Sequence, residues 1–326
     1  MSTPLLTIGL PVWNGERFIE EAIESHLAQT FEDFELVISD NDSTDRTEAI
    51  CRSFEARDPR VRYVRQPTNL GAARNYDFTL HHARGTYFKW SAHDDRLLPT
   101  FLAECVALLD RDPSTVLAHS LIRIIDEDGR TIGHHRRRWR RLGDGRPAVR
   151  FHDLVCSSVG PFEIFGVVRR DRLLETKGHG NWYASDRNLI AELALRGPFA
   201  CVDEVLFERR QHDDAYSERP RSAEETAHWL DTSGTGDASS DRLLDEYRES
   251  LRRVHLTDAE RRTCERVLRV NRPIWMTVFG TERLLRTTIL SWLPPRAADR
   301  ARSAKRAVRA RLAVLSERPR HRGRSA

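Results

Sequence analysis

Two aspartates, Asp94 and Asp95, stand side by side just after the apolar run Tyr87–Ser91. Adjacent carboxylates at a strand end repel one another, and a divalent cation relieves that repulsion. Mg²⁺ or Mn²⁺ takes one or two carboxylates and completes its shell with diphosphate oxygens and water. The same pair would equally cap a helix beginning near Pro99, where carboxylates meet unpaired backbone N–H groups. A second acidic turn, Asp40 to Asp45, follows the apolar run Phe34–Ser39. Asp40 can accept a hydrogen bond from a base or ribose, while Asp42, Ser43 and Asp45 also suit turn and cap positions. Trp13, at the mouth of the first apolar run, can stack on a base or fill core. Arg74 can bring a guanidinium to a phosphate or lie solvated on its helix.

Such residues act together only if a frame brings the strand ends to one rim. Leu5–Val12, Phe34–Ser39, Val61–Arg65 and Tyr87–Ser91 are short apolar runs closed by polar turns, and they read as buried strands. Between them, Glu16–Thr30, Thr44–Ala56 and Asn69–Ala83 carry apolar residues at helical spacing. The alternation predicts βαβ units, a mainly parallel sheet with helices on both faces, and ligands beyond the carboxyl ends of the strands. Further on, the pattern predicts helices at Pro99–Asp110 and Ser185–Arg196, and strands at Thr115–Ile125, Phe162–Arg169 and Cys201–Phe207. The Ser-, Gly- and Thr-rich stretch 218–240 reads as a flexible linker. Residues 241–295 read as a helical extension and 296–326 as a basic, disordered tail.

The order TIGLPVWNGERFIEEAIESHLAQTFEDFELVISDNDSTDRT, then NLGAARN, then ARGTYFKWSAHDD resembles the family-2 glycosyltransferases of the GT-A fold. The matching segments are Pro11 to Asn14, Gln29 to Glu35, Asp40 to Asp45, Asn69 to Asn75 and Asp94-Asp95, within a resemblance that runs from residue 5 to residue 217. It implies a GT-A, Rossmann-like sheet and an inverting transfer of a sugar from a nucleotide-diphosphate donor, by default a uridine diphosphate sugar. The acceptor would be a glycan or glycolipid hydroxyl, in polysaccharide or glycoconjugate synthesis.

By the same resemblance, Pro11, Trp13 and Asn14 line the base, Asp40 hydrogen-bonds it, and Arg74 contacts the nucleotide. Asp94 and Asp95 hold Mg²⁺ or Mn²⁺ on the diphosphate, with Asp95 the nearer ligand. Ala92 replaces the first carboxylate common in the family. In GNWYASDRNLIAELALRG, Asp186 takes the place of the catalytic base, preceded by Ser185 where the family usually has Glu. A carboxylate there would accept the acceptor's hydroxyl proton. It could also cap the following helix. Arg210 and His212, in VDEVLFERRQHDDAYS, would stand near the diphosphate or the acceptor.

Composition narrows the classes. Of 326 residues, 39% are hydrophobic and 31% charged, with a net charge of +4, which excludes a disordered chain. The widely spaced Cys51, Cys105, Cys156, Cys201 and Cys264 form no CxxC pair, which argues against a disulfide framework or a zinc knuckle. The chain enters its first strand with no leader-like segment and holds no apolar stretch of membrane-spanning length. The expectation is a cytoplasmic protein that binds no nucleic acid. Basic residues cluster at His134–Arg141 and from Arg296 onward, and Trp275, Val278, Phe279, Leu285, Ile289 and Trp292 share a helical face. That face with its basic tail suits either peripheral contact with an anionic membrane or packing on the catalytic domain.

Overall fold

The computed structural model describes residues 3–135, 141–156, 160–213, 215, 222–237 and 241–270. Its first half is built from β1 (Leu6–Val12), α1 (Ile19–Leu27), β2 (Phe34–Asp40), α2 (Thr47–Glu55), β3 (Val61–Arg65), α3 (Ala72–His81) and β4 (Tyr87–Trp90). The strands lie in the order β3-β2-β1-β4, each pair parallel. Every residue of β1, β2 and β4 is buried, as expected of strands covered on both faces, which read as near-continuous apolar runs.

Register places the chemistry. Val12 pairs with Asp40 and Asp40 with Arg65, so β1, β2 and β3 end level with one another. Trp90, the last residue of β4, pairs with Gly9 in mid-β1. The chain from Ser91 to Asp95 therefore runs on along the rim where β1 and β2 end.

The second half is mixed. It comprises β5 (Arg96–Leu97), α4 (Phe101–Arg111), β6 (Leu117–Ile125), β7 (Thr131–His135), α5 (Pro147–Val155), β8 (Val167–Arg169), α6 (Arg170–Leu174), α7 (Ser185–Arg196) and β9 (Phe199–Arg210). The sheet continues β4-β8-β6-β9-β5, with β7 beside β6. Pairing is antiparallel at β4–β8, β6–β8 and β5–β9, and parallel at β6–β9. Where the pattern predicts one strand over Phe162–Arg169, a 3-10 turn at Phe162–Phe165 precedes β8.

Two apolar layers flank the sheet. Leu10, Leu36, Phe54 and Phe101 pack in one, while Phe88, Trp90, Phe151, Leu189 and Tyr247 pack in the other.

The expected linker is corrected by the structure. Residues 222–237 hold α8 (Ala223–Leu230), which opens with a capping box between Ser222 and Glu225. The polar turn that follows is tied to the segments before α3 and α7: the Thr232 hydroxyl donates to the Asn69 carbonyl at 2.6 Å, and Asn181 Nδ2 donates to Thr235 Oγ1 at 2.9 Å. Gly71 has φ 83°, and a Cβ there would sit 2.7 Å from the Asp231 backbone, so both the conformation and the close approach require glycine.

The extension is docked too. In α9 (Asp241–Arg253), Leu243, Tyr247 and Leu251 enter the Phe151–Leu189 layer. Ser250 Oγ donates to the Glu192 carboxylate of α7 at 2.8 Å, and Arg253 pairs with the same carboxylate at 2.6 Å. Residues 136–140 of the basic loop, and everything from 271 on, including the Trp275–Trp292 face and the basic tail, lie outside the described residues. Among the described residues no helix is long and apolar enough to cross a membrane.

Candidate active site

The rim begins with two interlocked turns. Asn14, at φ 52°, donates its N–H to Ser43 Oγ at 2.8 Å and accepts the Thr44 N–H on its side chain at 2.9 Å. Asn tolerates this left-handed conformation better than most residues. Gly15 N–H reaches Thr47 Oγ1 at 2.8 Å, and Asp45 accepts the N–H groups of Glu16 and Thr47. Asp45 is thus a turn anchor. Pro11 is buried in β1 opposite Ser39. Trp13 is 49% exposed and leaves a large apolar face open at the rim.

Asp40 does not stand free. It is fully buried. The Tyr63 hydroxyl donates to its Oδ2 at 2.6 Å, the Ser43 N–H to its Oδ1 at 2.9 Å, and Arg65 lies 3.5 Å away. These partners make it the anchor of the β2 turn. Asn41, which sequence reading passed over, clasps the start of α3: its side chain donates to Asn69 Oδ1 at 2.9 Å and accepts the Leu70 N–H at 2.8 Å. Arg74 is half-exposed, donates to Ser233 Oγ at 3.1 Å and lies 3.5 Å from Asp231. It braces the turn after α8.

The acidic pair is asymmetric. The Asp94 carboxylate meets His212 Nε2 at 2.9 Å and is 16% exposed. The Asp95 carboxylate is 4% exposed and accepts the Arg210 backbone N–H at 2.8 Å. Burial alone would raise Asp94, but the His212 hydrogen bond and the nearby charges of His93 and His212 hold it below the usual carboxylate range. Burial, and then the charge of Asp94, push Asp95 well above the usual carboxylate range. Beneath the pair, buried Lys89 donates to the Trp90 carbonyl at 2.8 Å over the rings of Phe101 and Phe207. Burial pulls it down to about 7 against the opposing charge of Asp95.

Arg210 holds this loop in place. It is 2% exposed. Its Nε donates to the Asp94 carbonyl at 2.9 Å and its Nη1 to the carbonyls of Asp126 and Glu127 at 3.2 and 3.0 Å, while its Nη2 pairs with Glu21. The guanidinium also lies 4.6 Å over the Phe18 ring. Arg210, expected near the diphosphate or the acceptor, is thus buried with its guanidinium nitrogens already partnered. His212 does face the acidic pair, with its ring 4.8 Å from Phe18 and its Nδ1 buried without a partner among the described residues.

Asp186 lies in the first turn of α7. Its Oδ1 accepts the Arg187 N–H at 2.9 Å, and burial raises its pKa despite the opposing Arg187 charge. That shift suits a carboxylate that must take a proton. Burial first, and then the charges of Asp94, Asp95 and Asp186, raise the phenol pKa of Tyr76, which stands within electrostatic reach of both the rim acids and the α7 acid. Sequence reading missed Tyr76.

Comparison with known proteins places this arrangement. Residues 7–165 match the family described as Glycosyl transferase family 2, and this stretch holds β1 to β4, the acidic pair and β6. Over that stretch the chain is similar to the family.

The chain is 30% identical over 131 residues to an uncharacterized glycosyltransferase of Rickettsia typhi, covering 40% of each protein. It is 28% identical over 228 residues to a chondroitin synthase of Escherichia coli, covering 69% of this chain and 32% of that one. It thus spans well under half the length of these curated relatives. Among solved structures, that of S. aureus TarS 1-349 in complex with UDP-GlcNAc superposes with a TM-score of 0.58 at 16% identity, covering 86% of this chain and 81% of that one. The likeness shows a shared GT-A fold.

Close by this site, a second buried acid makes its own prediction. Asp77 of α3 accepts the His179 N–H at 2.8 Å, and burial pushes it up to about 7 despite that hydrogen bond. An unfolded Asp titrates near 4, so between about pH 4 and about pH 7 the native state binds the extra proton and stability falls as pH rises. Asp77→Asn keeps the acceptor oxygen and removes this cost. Thermal melts should find it more stable than wild type at pH 8 by about 1–2 kcal/mol, and no more stable at pH 4.

Proposed function

We propose that this protein transfers a sugar from a nucleotide-diphosphate donor, by first choice a uridine diphosphate sugar, to an acceptor hydroxyl with inversion of the anomeric carbon. The Asp94–His212 pair with Asp95 at the rim, and a buried Asp186 with a raised pKa within electrostatic reach of the same Tyr76, carry the reading. The donor base would lie against Trp13 in the groove shaped by Pro11 and Asn14, with Asp40 and Asn41 fixing the turns around it.

Among the described residues no His, Cys, Asp or Glu side chains form a ready cage of three or more ligands. Mg²⁺ and Mn²⁺ do not need one, since they draw on diphosphate oxygens and water. The donor set fits such an ion: a carboxylate and an imidazole face each other at 2.9 Å, and a second, buried acid stands behind them. Asp94 and His212 would hold the metal, with Asp95 behind; this differs from the expectation that Asp95 is the nearer ligand. When bound, the ion would neutralise the leaving nucleoside diphosphate.

Asp186 would accept the acceptor's proton as its oxygen attacks opposite the leaving group. One displacement needs no second carboxylate as nucleophile. The acceptor is proposed to be a glycan or glycolipid in polysaccharide or glycoconjugate synthesis, a reading supported by the names of the relatives.

The test is binding of a nucleotide-sugar panel with and without Mn²⁺, in wild type and Asp94→Ala. One donor should bind in a metal-dependent way, and the variant should lose at least about 100-fold in that affinity. Failure of every donor to bind with metal present would overturn the transferase reading and favour an anionic-polymer binder on the same fold.

A further inference from the structure

Tyr76 bridges the strand that leads to the acidic pair and the segment that leads to the proposed base. It lies in α3, half-buried. Its ring centroid is 4.7 Å from that of His179 and 6.2 Å from that of Trp90, and its carbonyl accepts the Trp90 indole N–H at 3.0 Å. Trp90 ends β4, just before Asp94, while His179 precedes Asp186 on the run into α7. His179 packs edge-on to Trp90 at 4.7 Å, and its backbone is pinned by Asp77. The three rings form one wall, with Trp90 fully covered and the other two partly open.

Two polar atoms of this wall have no use inside the described protein. The Tyr76 hydroxyl makes no hydrogen bond among the described residues, and His179 Nε2 is buried without a partner there. A buried polar atom left unpaired carries a desolvation cost that a ligand hydroxyl would relieve. A pyranose presents hydroxyls at its edge and C–H groups on its face, which matches an aromatic wall with polar tips.

We propose that Tyr76 and His179 form the subsite for the transferred sugar and select which hexose is accepted. The inference rests on the transferase reading above. In that reaction the anomeric carbon must lie between the diphosphate, on the Asp94 side, and the attacking oxygen, on the Asp186 side. A site built to hydrogen-bond particular sugar hydroxyls rejects epimers that leave its polar atoms unpaired.

The experiment compares wild type, Tyr76→Phe and His179→Phe, each of which keeps a ring and removes the polar atom. Titrations with Mn²⁺ would use UDP-glucose, UDP-galactose, UDP-N-acetylglucosamine, UDP-N-acetylgalactosamine, GDP-mannose and dTDP-glucose, each beside its own free nucleoside diphosphate. The variants should bind the preferred nucleotide sugar about 5- to 20-fold more weakly while holding the nucleoside diphosphate as before. Their preference between epimeric sugars should narrow. If wild type discriminates among the sugars and both variants keep its affinities and preference, the subsite assignment is overturned and the transferase reading stands. The assignment is also overturned if sugar and free nucleotide weaken equally. If wild type binds none of the panel, the transferase reading falls and the assignment falls with it.

Discussion

Replacing Asp186 with Asn should lower turnover by about 10²–10⁴-fold, the usual contribution of a positioned general base, with donor affinity nearly unchanged. The amide keeps the oxygen that accepts the Arg187 N–H, so the first turn of α7 should hold, and only proton acceptance is removed. Because burial raises the Asp186 pKa, the wild-type rate should climb with pH through a range above that of an ordinary carboxylate. The charged, proton-accepting form is the minority species until that pKa is passed. The rising limb of kcat/KM should vanish in Asp186→Asn. A variant that keeps full turnover and the same pH profile would remove Asp186 from the chemistry and return it to a helix cap.

A loss of stability, rather than of substrate contact, is expected from Arg210→Ala. The guanidinium satisfies the carbonyls of Asp94, Asp126 and Glu127 and pairs with Glu21 in a buried setting. Removing one partner of such an arrangement costs about 3–5 kcal/mol, because the others stay behind unpaired. A fall in melting temperature of roughly 10 °C is the corresponding readout. Arg210→Lys should recover little, since one ammonium cannot replace a planar fork that serves several acceptors. Collapse of donor binding with an unchanged melting temperature would mean instead that Arg210 meets the diphosphate directly.

Arg210 also shows how far the sequence could be read. Nothing in RRQH distinguishes a residue that meets the diphosphate or the acceptor from a clamp whose donors are already taken. Asp40 repeats the point, because a strand-end Asp looks the same whether it faces a base or the Tyr63 hydroxyl.

The strands β1 to β4 were legible because strands covered on both faces must be apolar throughout, and short runs between turn residues admit few other readings. Residues 222–237 were misread for the opposite reason. Their Ser, Thr, Asp and Gly resemble those of a solvated linker until Ser222 is seen to cap α8 and Asp231, Thr232 and Thr235 to join Asn181 and Asn69. Tyr76 gave no signal at all. It sits in an ordinary helical pattern, and only the turn of α3 toward Trp90 and His179 sets it apart.

The docking of α9 on α7 has a consequence for how such a protein can diverge. Glu192, on the helix that presents Asp186, is held by Ser250 and Arg253, while the proposed nucleotide end rests on turns drawn from the first hundred residues. The two ends of the reaction thus have separate foundations. On the proposed reading, substitutions in α9 would tilt the helix that carries Asp186 and reshape the acceptor side while the proposed donor side keeps its form. A lineage could in this way acquire new acceptors through a helix that never meets them.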